Sequence, residues 1–151
     1  MDLAANRRNA GVLAYLTRRS PASLAYQSPG DVANPWMGSG SHPDIVERVW
    51  KVLGASIPAE CRAIVHGTPA LVDPATGLVL AVAIGTQYAL RLRATDVAAA
   101  VARGAPTATK WSGGETLDVR ETFGEEWILG SWKGDEATWV AALHASPGDE
   151  G

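Results

Sequence analysis

The sequence contains one cysteine, Cys61, so no disulfide can form within the chain. No hydrophobic run approaches the ~20 residues that a membrane-spanning helix needs. The N-terminus also lacks the apolar segment that is typical of a secretory signal. We therefore expect a cytoplasmic chain without a membrane span.

Recognisable motifs of catalysis and metal binding are also missing. The single cysteine and three histidines do not have the spacing of a zinc site. The glycines and serines of residues 38–41 follow no predicted strand and include no lysine, which argues against a phosphate-binding loop. The net charge of −3 argues against a dominant role in nucleic-acid binding. We predict no catalytic residue, no cofactor and no metal.

The composition of the sequence divides the chain into three predicted segments. Residues 1–43 combine a basic amphipathic helix with a linker rich in Pro, Ser and Gly, in which Trp36 is an isolated large apolar side chain. Residues 44–146 form a single α+β core domain, and residues 147–151 form a disordered tail. We expect the core to fold without the first 43 residues, and Trp36 to dock on a surface.

The stretch from Gly67 to Arg93 contains three β-rich runs separated by two turns. Gly85 and Thr86 suit a two-residue type II′ hairpin, which pairs Ile84 with Gln87. This register places Leu80 and Val82 on the face that carries the arginines of the next strand. A three-residue turn would instead place the large apolar residues on one face, because a slip of one residue exchanges the faces.

The remaining pattern adds one strand before this stretch, an alanine-rich helix after it, a hairpin over residues 107–120 and a last helix over residues 136–145. Together these elements predict a two-layer α+β sandwich. Its antiparallel sheet has five or six strands, with helices mainly on one face.

The order of these elements resembles a known family. Gly67–Val72, a turn, Leu78–Ile84, a glycine turn, Tyr88–Leu92 and a helix leading to Gly104 are similar to the N-terminal domain of the TfoX competence regulators. The MmcQ/YjbR-like proteins share the same general look. The resemblance covers about residues 45–145, and it implies a small α+β domain of regulatory or unassigned function, with no agreed catalytic residues to carry over.

The leading hypothesis is a non-enzymatic interaction or regulatory domain that acts through protein–protein contact. The run from Leu78 to Ile84 is apolar on both faces, whereas a two-layer sandwich covers only one. The other face needs the N-terminal helix, a second subunit or another protein to cover it. We predict a homodimer or partner surface there. Its residues are Leu80, Val82, Arg91, Arg93 and Trp36.

The alternative hypothesis is a small ligand-binding protein or enzyme. Its pocket would lie near His66 and Cys61 and would be lined by tryptophans of the last third of the chain. Those tryptophans are Trp111, Trp127 and Trp132. They equally suit a hydrophobic core, because the chain has only one phenylalanine.

Overall fold

A computed structural model describes residues 1–31, 41–110, 116–131 and 134–146. The predictions for Trp36, Trp111, Trp132 and the tail of residues 147–151 lie outside these residues. Within them the strands form a five-stranded antiparallel sheet, in the order β1-β2-β3-β4-β7, and a separate two-stranded sheet of β5 and β6. The strands are β1 (Arg62–Val65), β2 (Thr68–Val72), β3 (Val79–Ile84), β4 (Gln87–Arg91), β5 (Ala108–Lys110), β6 (Thr116–Asp118) and β7 (Trp127–Leu129). The predicted α+β class is confirmed.

Helices pack on both faces of the five-stranded sheet. The helices are α1 (Ala10–Arg19), α2 (Pro43–Glu47), α3 (Ala94–Ala102), α4 (Val119–Thr122) and α5 (Glu136–Ala145), and a π-helical turn (Arg48–Val52) continues α2. One apolar cluster joins the sheet to α2, α3 and α5. A second cluster joins the opposite face to α1 and α4. Both faces of the sheet are therefore covered by the chain itself.

The hairpin between β3 and β4 has the predicted register. Ile84 pairs with Gln87 and Val82 pairs with Ala89. Gly85 has a φ of +59°, which a residue with a side chain rarely adopts. The choice of a two-residue turn at Gly85 and Thr86 is confirmed.

A β-bulge in β3 changes which side chains share a face. Leu71 pairs with Ala81 but Val72 pairs with Val79, so Leu80 is an extra residue on its strand. Leu80 therefore belongs to the cluster of α2, α3 and α5, and Val79 joins Val82 in the cluster of α1 and α4. The expectation that Leu80 lies on the same face as Arg91 is wrong for this reason.

The N-terminal segment is a layer of the domain. Leu3, Val12 and Leu16 are buried against the sheet. The buried Asn9 donates from Nδ2 to the carbonyl oxygens of Leu3 (2.9 Å) and Gly77 (2.7 Å), and its Oδ1 accepts from the backbone N–H of Val79 (2.9 Å). In the structure, residues 1–19 are not an arm outside the core, because their apolar side chains complete it.

Both edges of the sheet are met by other parts of the chain. At the β1 edge, Gln27 and Ile64 exchange two backbone hydrogen bonds of 2.8 Å. At the β7 edge, the backbone N–H of Leu129 donates to the Pro106 carbonyl oxygen at 2.8 Å. These contacts restrict the addition of a strand from another chain.

Candidate functional site

A groove of about 560 Å³ runs beside α3. One wall is the helix, and the other is the segment from α4 to β7. It is lined by Ala94, Val97, Ala98, Val101, Ala102, Arg120, Glu125 and Glu126. The lining is apolar along the helix and charged along the opposite wall.

The sequence of α3 accounts for the apolar wall. Arg93 and Asp96 form an ion pair of 3.0 Å at the first turn, and Gly104, with a φ of +92°, follows the last turn. Val97 and Ala100 are buried against the sheet. The solvent side of such a helix normally carries charged residues, but here it does not.

The exposed positions of α3 that line the groove are instead small and apolar. Ala94, Ala98 and Ala102 are exposed, and Val101 keeps 40% of its surface accessible. Ala94, Ala98 and Ala102 follow one another at intervals of four and Val101 comes three positions after Ala98, so these residues lie along one side of the helix. The result is an apolar surface that the described chain leaves open to solvent.

The charged wall begins at α4. The Asp118 side chain caps this short helix by accepting from the backbone N–H groups of Arg120 (3.0 Å) and Glu121 (3.2 Å). Nη2 of Arg120 lies 3.8 Å from Oε2 of Glu125. The Arg120 side chain is 40% exposed and the Glu125 side chain is 89% exposed. Such an exposed pair contributes roughly 0–1 kcal/mol, so both charges stay available to a second molecule.

Glu126 joins the groove to the N-terminal layer. Its Oε1 accepts from Arg91 at 3.0 Å, and its Oε2 accepts from Arg8. Arg91 also donates to the carbonyl oxygens of Val79 (2.8 Å) and Arg8 (3.1 Å). Burial lowers the pKa of Arg91 to about 10, with Glu126 opposing the shift, so the guanidinium remains charged at neutral pH.

A row of aromatic rings extends from this buried arginine towards α1. The Arg91 guanidinium lies 4.8 Å from the centre of the Trp127 ring. Phe123 contacts Trp127 edge to face, with the ring centres 5.1 Å apart. Tyr15 contacts Phe123 in the same way, with the ring centres 5.3 Å apart. These contacts add to the stability of the α1 and α4 layer.

The predicted contact surface does not coincide with the groove. Leu80 and Val82 are fully buried and Arg91 is 1% exposed, because helices of the chain cover both faces of β3. Among the members of this surface that the structure describes, only Arg93, whose side chain is 33% exposed, reaches the surface, where it pairs with Asp96. The N-terminal layer covers the face that was predicted to meet a second subunit, so in this structure that face is core.

The predicted ligand pocket does not form among the described residues. Cys61 and His66 flank the four-residue strand β1 and lie roughly 15 Å apart. Trp127 is on the opposite edge of the sheet, four strands away, which is roughly 19 Å. These side chains cannot act on one ligand.

The Cys61 thiol is not activated as a nucleophile, and the backbone of His66 forms a turn. Burial, helped by the nearby charges of Asp73 and Glu60, raises the pKa of the Cys61 thiol to about 11. His66 occupies a tight turn with φ of 47°, followed by Gly67 at 76°. The turn is held by the backbone N–H of His66, which donates to the Leu24 carbonyl oxygen at 3.0 Å.

A buried carboxylate on the α5 side was not predicted. Glu136 is 2% exposed and accepts from the Tyr88 hydroxyl and from the backbone N–H of Ser131 at 2.7 Å. The Tyr88 ring in turn lies against Gly130, where a Cβ atom would come within 1.8 Å of it. These bonds fix the loop after β7 to the sheet, which is a structural role.

The groove itself was also missed by sequence reasoning. The available signal was the absence of charged residues at positions 97–102, in a helix that ought to have a solvent-facing side. The opposite wall left no local signal, because Arg120, Glu125 and Glu126 look like ordinary surface charges.

The comparisons with known proteins add no family. No protein-family model matches the chain, and neither curated proteins nor solved structures give a significant match. In the described part of the chain, no helix is long and apolar enough to cross a membrane. The same residues include no group of three or more His, Cys, Asp or Glu side chains placed to hold a metal ion.

Proposed function

We propose that this chain is a non-enzymatic interaction domain that binds another protein through the groove beside α3. The observation that carries this proposal is the exposed apolar side of α3 facing a wall of charged residues. An apolar centre with a charged rim is typical of protein–protein interfaces. A regulatory role in the cytoplasm, similar to that implied by the resemblance to the TfoX N-terminal domain, is part of the same proposal.

The charged wall favours a protein as the bound molecule. Apolar side chains of a partner would pack on Ala98 and Val101, while Arg120 and Glu125 would pair with its polar groups. The groove follows α3 from Ala94 to Ala102, which suits an elongated segment such as a helix better than a small enclosed ligand.

Site-specific photo-crosslinking in cells that express the chain tests this proposal. A photoreactive amino acid at Ala98 should give protein adducts, because this position lies in the groove. The same amino acid at Ala59, which is exposed and does not line the groove, is the matched control. Val101→Glu should reduce the adducts formed at Ala98 by ~10-fold, since it places a charge in an apolar contact. Equal adduct formation at both positions would argue against the groove as a binding surface.

A further inference from the structure

The charged groups at the groove are not balanced. Glu126 lines the groove, and its carboxylate pairs with both Arg8 and Arg91. Arg120 and Glu125 add one charge of each sign. Three arginines thus accompany two glutamates at this wall, which leaves one positive charge in excess. Electrostatic complementarity favours an anionic group of the bound molecule over a cationic one.

Arg120 is the member of this group that is placed to bind a further anion. It lines the groove, and its side chain is 40% exposed. The carboxylate of Glu125 approaches its guanidinium only to 3.8 Å, which is too far for a hydrogen bond. Within the residues that the structure describes, no other group accepts a hydrogen bond from this guanidinium. Its N–H donors are therefore open to a carboxylate, which an arginine can bind through two parallel hydrogen bonds.

The two glutamates are less suited to attract a cation. The Glu125 side chain is 89% exposed, so water and salt screen its charge. Glu126 is 26% exposed, and its two oxygens already accept from Arg91 and Arg8. An acidic group in the groove gains Arg120 as a partner, whereas a basic group meets the excess positive charge.

The apolar wall suits a helix as the bound element. Ala94, Ala98 and Ala102 recur every four residues along α3, so their side chains form a row of small groups. A second helix can approach such a row to an interaxial distance of ~8–10 Å. In the groove it contacts α3 on one side and the segment from α4 to β7 on the other, so one bound helix meets both walls.

We propose that the groove beside α3 binds an acidic amphipathic helix of another protein. The apolar stripe of this helix packs on Ala98 and Val101, and a glutamate or aspartate beside the stripe binds Arg120. The nine residues of α3 extend about 13 Å, so the contact spans roughly two to three turns of the bound helix. This inference rests on the proposed function and gives the chemistry of its partner.

Two synthetic helical peptides, used as probes with the full chain, test this chemistry. They share one stripe of leucines at helical spacing and differ only in the residues beside the stripe, which are glutamates in one peptide and lysines in the other. Fluorescence anisotropy of the labelled peptides measures both dissociation constants. The glutamate peptide should bind at least ~10-fold more tightly than the lysine peptide, and this preference should shrink as salt is added.

Variants of the charged wall locate the acidic contact. Arg120→Gln should weaken binding of the glutamate peptide by ~10-fold, and Arg120→Lys should weaken it less, because lysine keeps the charge but not the two parallel hydrogen bonds. Glu125→Gln should strengthen it, because this change removes a like charge. The matched control is Lys51→Gln, which removes one positive charge at an exposed position outside the groove and should leave both dissociation constants unchanged. An unchanged midpoint of urea unfolding shows that each variant is folded.

Several outcomes would overturn the inference. A lysine peptide that binds as tightly as the glutamate peptide would do so, as would failure of both peptides to bind at ~1 mM. A preference for glutamate that survives in Arg120→Gln would place the acidic contact elsewhere. Displacement of the glutamate peptide by a single-stranded oligonucleotide would assign Arg120 to phosphate groups instead. If Ala98 still crosslinks to a protein in any of these cases, the proposed function survives and only this inference fails. If Ala98 gives no adducts and neither peptide binds, both fail.

Discussion

Burial decides the chemistry of Cys61 and Arg91. Burial raises the pKa of the Cys61 thiol to about 11 and lowers the pKa of the Arg91 guanidinium to about 10. The main cause in both cases is that the charged form loses its contact with water. Neither shift changes the protonation state at neutral pH. Cys61 therefore stays a neutral thiol and a poor nucleophile, while Arg91 stays a cation that requires its partner Glu126.

Cys61 should be protected from thiol reagents in the folded chain. At pH 8 its modification should be ~100-fold slower than that of a free cysteine, because so little of the thiol is ionised and the side chain is buried. Colorimetric titration with a disulfide reagent measures the rate, and the chain unfolded in denaturant is the control. Modification of the folded chain at the rate of the unfolded one would show that Cys61 is accessible.

The same shift makes stability depend on pH. The unfolded thiol loses its proton near pH 9.0 and the folded one near pH 11. The folded state therefore binds more protons than the unfolded state between these pH values. The contribution of Cys61 to the free energy of unfolding is complete below pH 9 and is lost as the pH rises to 11. We expect a loss of up to about 2 kcal/mol, which Cys61→Ala should remove. Denaturant unfolding of the wild-type chain and of Cys61→Ala at a series of pH values measures the loss and its removal.

At the scale of elements, local residue chemistry accounts for much of the fold. Gly85 fixed the turn and register of the β3–β4 hairpin, since its positive φ is open to few other residues. The hairpin of β5 and β6 was also predicted, but its separation from the main sheet was not. Strand β7 was missed because three residues, Trp127–Leu129, are too short to give a pattern.

The candidate site depends on contacts that residue patterns do not contain. Strand β3 is apolar at every position, so its sequence gave no indication that the bulge at Leu80 exchanges the faces. Arg91 alternates with apolar residues, which suggested a solvent-facing side chain. Two of its partners, Glu126 and the backbone of Arg8, are 35 and 83 residues away along the chain.

The approach of α1 to α4 depends on Gly11. A Cβ atom at this position would lie 2.6 Å from the carbonyl oxygen of Phe123 and 2.7 Å from that of Thr122. An alanine within a helix normally stabilises it by up to about 1 kcal/mol relative to glycine. At this position the steric clash opposes that gain. We expect the clash to outweigh the gain, because both contacts are to backbone atoms, which cannot move aside as a flexible side chain can.

We therefore expect Gly11→Ala to lower the free energy of unfolding by about 1–3 kcal/mol. The matched control is Gly30→Ala, since a Cβ atom at Gly30 would meet nothing within 4 Å. Its effect should be within about 0.5 kcal/mol of zero. Urea denaturation of the two variants makes the comparison, and equal effects would show that α1 does not need this close approach.

At the scale of the whole molecule, the sheet is shared by two apolar clusters. The N-terminal layer closes one of them through Leu3, Val12 and Leu16. The predicted α+β arrangement is shown, and helices cover both faces of its five-stranded sheet. Residues 1–19 thus pack with the sheet, and we expect that the segment after the predicted boundary at residue 43 does not fold normally without them.

Removal of the N-terminal layer should prevent normal folding. A chain that begins at Ser20 or at Ser41 exposes Val79, Val82 and Ile84 to water and leaves Arg91 without the carbonyl group of Arg8. We expect loss of cooperative unfolding and a tendency to aggregate, which calorimetry and light scattering detect. Addition of a peptide of residues 1–19 to the chain that begins at Ser20 should restore the transition. Cooperative unfolding of the truncated chain at the wild-type midpoint would contradict this expectation.

The ion pair between Arg8 and Glu126 joins residues that are 118 positions apart. A ribosome adds ~5–20 residues per second, so roughly 6–24 s pass between the synthesis of the two partners. Throughout that interval the apolar side of α1 has no completed sheet to pack against. Residues 1–19 thus reach their final positions only after Glu126 has been made, and the nascent chain exposes Val12 and Leu16 until then.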